Sequence, residues 1–209
     1  MRKQIILLLS LCLLGACASV GVKQIPAAAR GHKRVDYFSA GQERVAFKVV
    51  AQLEDGYLSG VLRIKKIGAQ DYDVLLMGDG AYKYLEAVVS PSGVAYKYIF
   101  KDADSALARG RVNQFLRLLL ADPGSFVSYR VKDGMEEITY KNQDAKTRLV
   151  YPQGASFPSQ AVSSALLNSA EINYEQYTPY GTEGNLEIPH LLIYKDGNVT
   201  LDLELISMK

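Results

Sequence analysis

The chain has 209 residues, with 24 Lys plus Arg against 22 Asp plus Glu, 2 His and 2 Cys. So even a balance argues against nucleic acid as a partner, because displacing counterions from phosphates takes clustered Lys and Arg. At 48% hydrophobic and 22% charged residues, the composition excludes disorder over most of the length and supplies one sizeable core.

The two surplus positive charges, Arg2 and Lys3, precede an apolar run from Ile5 to Leu14, and no acidic residue comes before Asp36. An apolar stretch of about ten residues is too short to span a bilayer, so residues 1–16 read as an export signal and not as an anchor. Removing them leaves 22 basic against 22 acidic residues. Leu14-Gly15-Ala16-Cys17 resembles the lipobox of bacterial lipoproteins. The resemblance implies cleavage before Cys17, a diacylglyceryl thioether on its sulfur and a fatty acyl chain such as palmitate on its amino group. Two or three acyl chains, at about 0.8 kcal/mol per buried CH₂, anchor a protein durably where one does not. Ala18, and not Asp, follows the cysteine, which by the same resemblance directs the protein to the outer membrane, facing the periplasm. Cys12 leaves with the signal, so the mature chain keeps neither a free thiol nor a disulfide.

Residues 17–34 read as the lipidated N-terminus and a tether. Pro26, Ala27, Ala28 and Ala29, with Lys23, Arg30, Lys33 and Arg34, suit a solvated linker that reaches about 50 Å when extended.

Residues 35–209 read as a single domain. From residue 44 the dominant hydrophobic period is two: Leu58 to Ile64, Tyr72 to Leu76, Tyr82 to Val89 and Val94 to Lys101 alternate, with breaks at Gly68 to Asp71, Gly78-Asp79-Gly80 and Ser90 to Gly93. Strict alternation places Tyr96 and Tyr98 on one face, and Tyr82 and Tyr84 likewise. Near residue 104 the period changes. Asp104 or Ser105 is positioned to cap a helix in which Val112, Phe115, Leu116 and Leu119 recur at helical spacing, until Asp122-Pro123-Gly124 stops it. Strands resume over 125–132 and 135–141 around Asp133-Gly134, a two-residue hairpin loop of type I′. Residues 147–151 come next; 155–170, rich in Ser and Ala, read as a weaker helix or a loop. The tail alternates over 172–178, 188–195 and 199–207. Connections this short make an antiparallel meander of about ten strands.

A sheet of that size with one apolar face and a single helix must curl around a core or a cavity. The order of elements, the apolar helix ending in Asp-Pro-Gly and the closing pattern from Tyr174 through Ile188-Pro189 to Leu203 resemble the half-open β-barrel of the lipoprotein carrier LolA and its outer-membrane receptor LolB. The fold expected is therefore mainly β, an antiparallel curved half-barrel with one main helix packed against its concave face. In that family the concave face holds acyl chains. By that resemblance the ligand-facing residues are Leu62, Ile64, Tyr96, Tyr98, Val112, Phe115, Leu116 and Leu119. The receptor's protruding loop with an exposed bulky apolar residue has no counterpart in the turns at 68–71 and 78–80, which points to a relative sharing fold and ligand class and not to the receptor itself.

Catalytic parts are few. His32 falls in the tether and His190 beside Pro189 at the start of a late strand, with no Gly-x-Ser-x-Gly elbow, no His-Glu-x-x-His and no Cys/His cluster for zinc. Gly78-Asp79-Gly80 joins two strands and does not open a helix, so it is a turn and not a phosphate loop. The expectation is a non-enzymatic protein with no cofactor and no metal. Its partners are a membrane reached through the anchor, a lipid or acyl-chain ligand and an envelope protein. The alternative is an envelope scaffold whose barrel is fully packed. Fourteen Tyr and no Trp suit a cavity mouth, where an apolar ring meets a polar tip, but tyrosine also favours strands for packing alone.

Overall fold

The computed structural model describes residues 25–38, 41–53, 56–101, 104–120, 124–142, 145–164, 169–180 and 186–209. The signal, Cys17, Asp122-Pro123 and Leu166-Leu167 lie outside these residues. The described chain forms one antiparallel sheet of twelve strands and one α-helix. The strands are β1 (Arg44–Leu53), β2 (Gly56–Lys66), β3 (Tyr72–Gly78), β4 (Lys83–Ser90), β5 (Gly93–Ile99), β6 (Ser125–Lys132), β7 (Met135–Lys141), β8 (Lys146–Pro152), β9 (Gln160–Ser164), β10 (Ser169–Tyr180), β11 (Leu186–Asp196) and β12 (Val199–Met208). The helix, α1, spans Ala106–Leu120.

The spatial order is β5-β4-β3-β2-β1-β12-β11-β10-β9-β8-β7-β6. Two meanders thus run outward from a central β1–β12 pair, and the sheet does not close, because β5 and β6 are its two edges. α1 follows β5 and precedes β6, so it carries the chain from one edge to the other. It packs on β4 and β5 at one side and on β9 and β10 at the other.

Turn chemistry accounts for the register. Asp133 and Gly134 both adopt positive φ, 53° and 74°, as a type I′ loop between directly paired Lys132 and Met135 requires. Ser90 pairs with Gly93 around a two-residue loop, and Asp196 with Val199. Ser105 Oγ accepts the Ala108 N–H at 3.1 Å and caps α1, while Asp104 grips Arg109 from outside the helix, at 2.5 Å to Nε and 3.0 Å to Nη2.

Two expectations change. Residues 155–170 are neither helix nor loop throughout: Gln160–Ser164 is a short strand inserted between β8 and β10. Only Ala161, Val162 and Ser163 of it are buried, too brief an apolar signal to stand out among Ser and Ala. The C-terminal part of the segment assigned to a solvated linker is docked. Ala29 is buried in the core, Lys33 N–H donates to the Ser156 carbonyl at 2.7 Å, and the Tyr151 hydroxyl donates to the Lys33 carbonyl at 3.3 Å.

Candidate functional site

One face of the sheet is largely apolar, interrupted by the buried pair Thr147 and Ser163 on β8 and β9. Val45, Phe47 and Val49 of β1 lie opposite Ile64, Leu62 and Gly60 of β2; Ile64 and Leu62 in turn lie opposite Val74 and Leu76 of β3. On the other side of the centre, Phe47 and Val49 meet Leu205 and Leu203, and the row continues through Leu192 to Tyr174. With Phe115 and Leu116 of α1 these residues, apart from Gly60 and the partly buried Leu76, form a single buried cluster.

α1 lies across this face and is fixed at both ends. At the β5 side the Tyr96 hydroxyl donates to Asn113 Oδ1 at 2.6 Å, with the Arg109 carbonyl at 3.1 Å, and the Arg109 guanidinium stands 5.0 Å over the Tyr96 ring. At the far side Phe115 packs edge-on against Tyr194, with ring centroids 5.0 Å apart. Val112, within the anchored span, and Leu118, Leu119 and Leu120, in the turn after Phe115, touch the core and stay only partly buried.

The residues expected to face a ligand divide into three groups. Leu62, Ile64, Phe115 and Leu116 are buried in the cluster, and Leu116 is wholly inaccessible. Tyr96, Val112 and Leu119 are half-buried on the concave face. Tyr98 is not on that face. Pairing slips between Glu86 and Ala87, so that Ala87 meets Tyr96 whereas Glu86 meets Tyr98. The extra residue, Lys97, turns Tyr98 to the outside, where Lys83 Nζ lies 5.7 Å from its ring. A second slip, at Leu76/Met77, separates Tyr82 from Tyr84: Tyr82 is 70% exposed, while the Tyr84 ring lies on Gly78 and meets Phe100 edge-on. The two turns expected to lack a bulky apolar residue are flanked by Ile67 and Tyr82, both exposed.

The sequence reading missed a second element on the same face. Residues 29–38 form a strap that enters the core with Ala29, Tyr37 and Phe38. Tyr37 meets Phe47 edge-on at 5.2 Å and donates to the Pro189 carbonyl at 3.3 Å, and Phe38 packs on Tyr72. The Arg34 guanidinium stands 4.8 Å over Tyr140. His32 fastens the strap. Its ring stacks on Tyr151 at 4.2 Å, Nδ1 lies 3.1 Å from the Ala155 carbonyl, and Nε2 lies 2.9 Å from Glu136 Oε2. A carbonyl and a carboxylate are both acceptors, so the ring is tied to the sheet through both of its nitrogens. Glu136 also accepts from the Tyr129 hydroxyl and the Gly154 N–H. The Tyr129 and His32 hydrogen bonds hold its carboxyl below the usual carboxylate range. The adjacent pair Tyr37-Phe38, just past the basic stretch, was the available signal for docking.

Tyrosine lines this end of the face. Burial pushes the phenols of Tyr37, Tyr151, Tyr174, Tyr177 and Tyr194 well above the usual range, so they stay neutral. Among the described residues there is no group of three His, Cys, Asp or Glu placed to hold a metal, and no helix long and apolar enough to cross a membrane.

An open antiparallel half-barrel, with its edge strands joined by a helix across the concave face, is a LolA/LolB-like fold. A LolA superfamily protein from Nitrosomonas europaea superposes with a TM-score of 0.55 at 13% identity, covering 82% of this chain and 87% of that one. A DUF1329 family protein from Desulfovibrio piger gives 0.51 at 10% identity, covering 83% and 87%. At these identities what is shared is the fold. No protein-family model and no curated protein matches the chain.

Proposed function

We propose that this is a lipid-anchored protein of the outer membrane, facing the periplasm, which holds an acyl chain against the concave face beneath α1 and serves lipid or lipoprotein handling. The observation that carries the reading is the pairing of a largely apolar sheet face with a helix whose Val112, Leu118, Leu119 and Leu120 remain partly accessible above it. The LolA/LolB-like fold supports it, as does the lipobox at Cys17. The role is binding and not catalysis: His32 is committed to Glu136 and Ala155, and His190 is exposed on β11.

The test places a benzophenone amino acid at Leu119 of the full chain in the bacterium that makes it. Irradiation is expected to yield a phospholipid or acylated adduct, found by mass spectrometry, with none when the probe replaces the outward-facing Tyr98. No adduct at Leu119, or equal yields at both positions, overturns the reading. A packed envelope scaffold is the second reading. It is favoured by the side chains of Phe47, Leu62, Ile64, Leu116, Ile172 and Leu192, all fully buried within the half-barrel. That reading expects a stoichiometric protein partner and no lipid adduct.

A further inference from the structure

The outer face of the sheet carries a groove that the acyl-binding reading does not use. It has a volume of about 480 Å³ and lies over β12, β1, β2 and β3, on the side away from α1. That size falls within the range of about 300–1,000 Å³ common for small-ligand sites. Its floor is made by the sheet itself. Pairing slips between Ala46 and Phe47, so Ala46 meets Ser207 and Phe47 meets Leu205, and Ile206 is the extra residue. Two small side chains, Ala46 and Ser207, therefore lie side by side where neighbouring rows carry longer ones. Val61, Leu75 and the half-exposed Ile206 give the walls an apolar component.

The charges around this floor are one-sided. Arg44 on β1 is directly opposite Lys65 on β2, and Arg63, two residues before Lys65, is directly opposite Ala46. Lys209 lines the same groove, its backbone bonded to that of Arg44 at 2.8 and 2.9 Å. Directly opposed residues on adjacent strands sit about 5 Å apart, and like charges there are destabilising. Among the described residues, no Asp or Glu carboxylate lies within ion-pair distance of the side chains of Arg44, Arg63 or Lys65. The one acidic side chain lining the groove, Asp73, sits opposite Lys65 in register but is held by Lys97 at 2.7 Å. The fold thus sets three basic side chains that form no ion pair, with Asp73 turned to Lys97, around a small-residue floor with an apolar wall.

We propose that this groove binds the phosphate headgroup of an anionic phospholipid. Arg44, Arg63 and Lys65 close on the phosphate oxygens, and Ile206 and Leu75 take the first carbons of the glycerol backbone. Charge complementarity selects the anion: the guanidinium of Arg63 offers a two-pronged donor set, and bringing in the phosphate relieves the Arg44–Lys65 repulsion. The apolar wall selects an amphiphile over a free ion. Because it lies on the face opposite α1, the site stands or falls independently of acyl binding beneath the helix.

The experiment titrates the full chain, held in uncharged detergent micelles, with phosphatidylglycerol, with phosphatidylcholine and with inorganic phosphate. The backbone amides of Ala46, Arg63 and Leu75 are followed by NMR. Phosphatidylglycerol is expected to shift all three saturably and phosphatidylcholine to leave them in place. Arg63→Gln with Lys65→Gln should weaken the response by about tenfold or more, while the amides of Leu116 and Ile172 keep their positions as evidence that the variant is folded. The wild-type Tm should rise with phosphatidylglycerol by linkage, and that of the double variant should not. Absence of saturable shifts, or a response unchanged in the double variant, overturns the proposal. An equal response to inorganic phosphate overturns the lipid assignment in favour of a soluble phosphate ligand.

Discussion

His32 shows how much a single side chain can settle. Both ring nitrogens face acceptors, so the residue is a fastener for the strap, and Glu136, which also takes Tyr129 and Gly154, is its socket. The sign of the pH dependence comes from Glu136. A carboxyl held below its ordinary range contributes stability that is fully present above that range and is lost as pH falls through the depressed value. Acidification below about pH 4 is therefore expected to lower Tm by protonating Glu136. Glu136→Gln should remove that part of the acid sensitivity and cost about 1–3 kcal/mol near neutral pH, read by denaturant titration at both pH values. An acid response identical in wild type and variant would place the sensitivity elsewhere, with Glu137 between Arg130 and Arg148 as the next group to test.

At the scale of the element, the hairpins were legible because Asp133-Gly134 and the group at 196–198 are turn chemistry with few alternatives, and α1 because its period breaks so sharply from the strands around it. What alternation does not encode is an added residue. Each slip, at Leu76/Met77 and at Glu86/Ala87, inverts the facing of the residues beyond it, and this is why Tyr98 lies outside while Tyr96 lies inside. Glycines mark the inner face as plainly as large residues do. A Cβ on Gly60 would stand 2.1 Å from the Met77 carbonyl oxygen, whereas one on Gly78 would meet the ring of Tyr84. Backbone cannot step aside as a ring can. Gly60→Ala is thus expected to destabilise by about 3 kcal/mol and Gly78→Ala by less, measured by chemical denaturation. The reverse order would show that β2 and β3 are less tightly opposed than their register indicates.

At the scale of the molecule, the curved sheet is covered twice, by α1 and by the strap. The overall curl was legible in the arithmetic of many strands and one helix. The strap was not, because its run of Ala and basic residues has the composition of a linker, and only Tyr37-Phe38 speaks for burial. The two covers differ in attachment. α1 is continuous with both edge strands, while the described part of the strap is held by His32, Tyr37 and Phe38 and by main-chain bonds such as that from Lys33 to Ser156. Tyr37→Ala should accordingly open the strap before the sheet. Hydrogen exchange at the Lys33 amide is expected to accelerate while Leu62 and Leu203 keep their protection; uniform acceleration would show that strap and sheet unfold as one unit.

The central position of the β1–β12 pair has a consequence for how the protein comes to be folded. Every other strand pairs with a neighbour in sequence, so each meander can form from local contacts as the chain emerges. The seam between them joins Val45 to Met208 and Gln52 to Thr200. It waits for almost the whole chain, and loop-closure entropy falls on that one step. Until β12 arrives, β1 presents an open edge with Phe47 and Val49 uncovered, the moment at which this chain is most exposed to wrong pairing and most in need of a holdase.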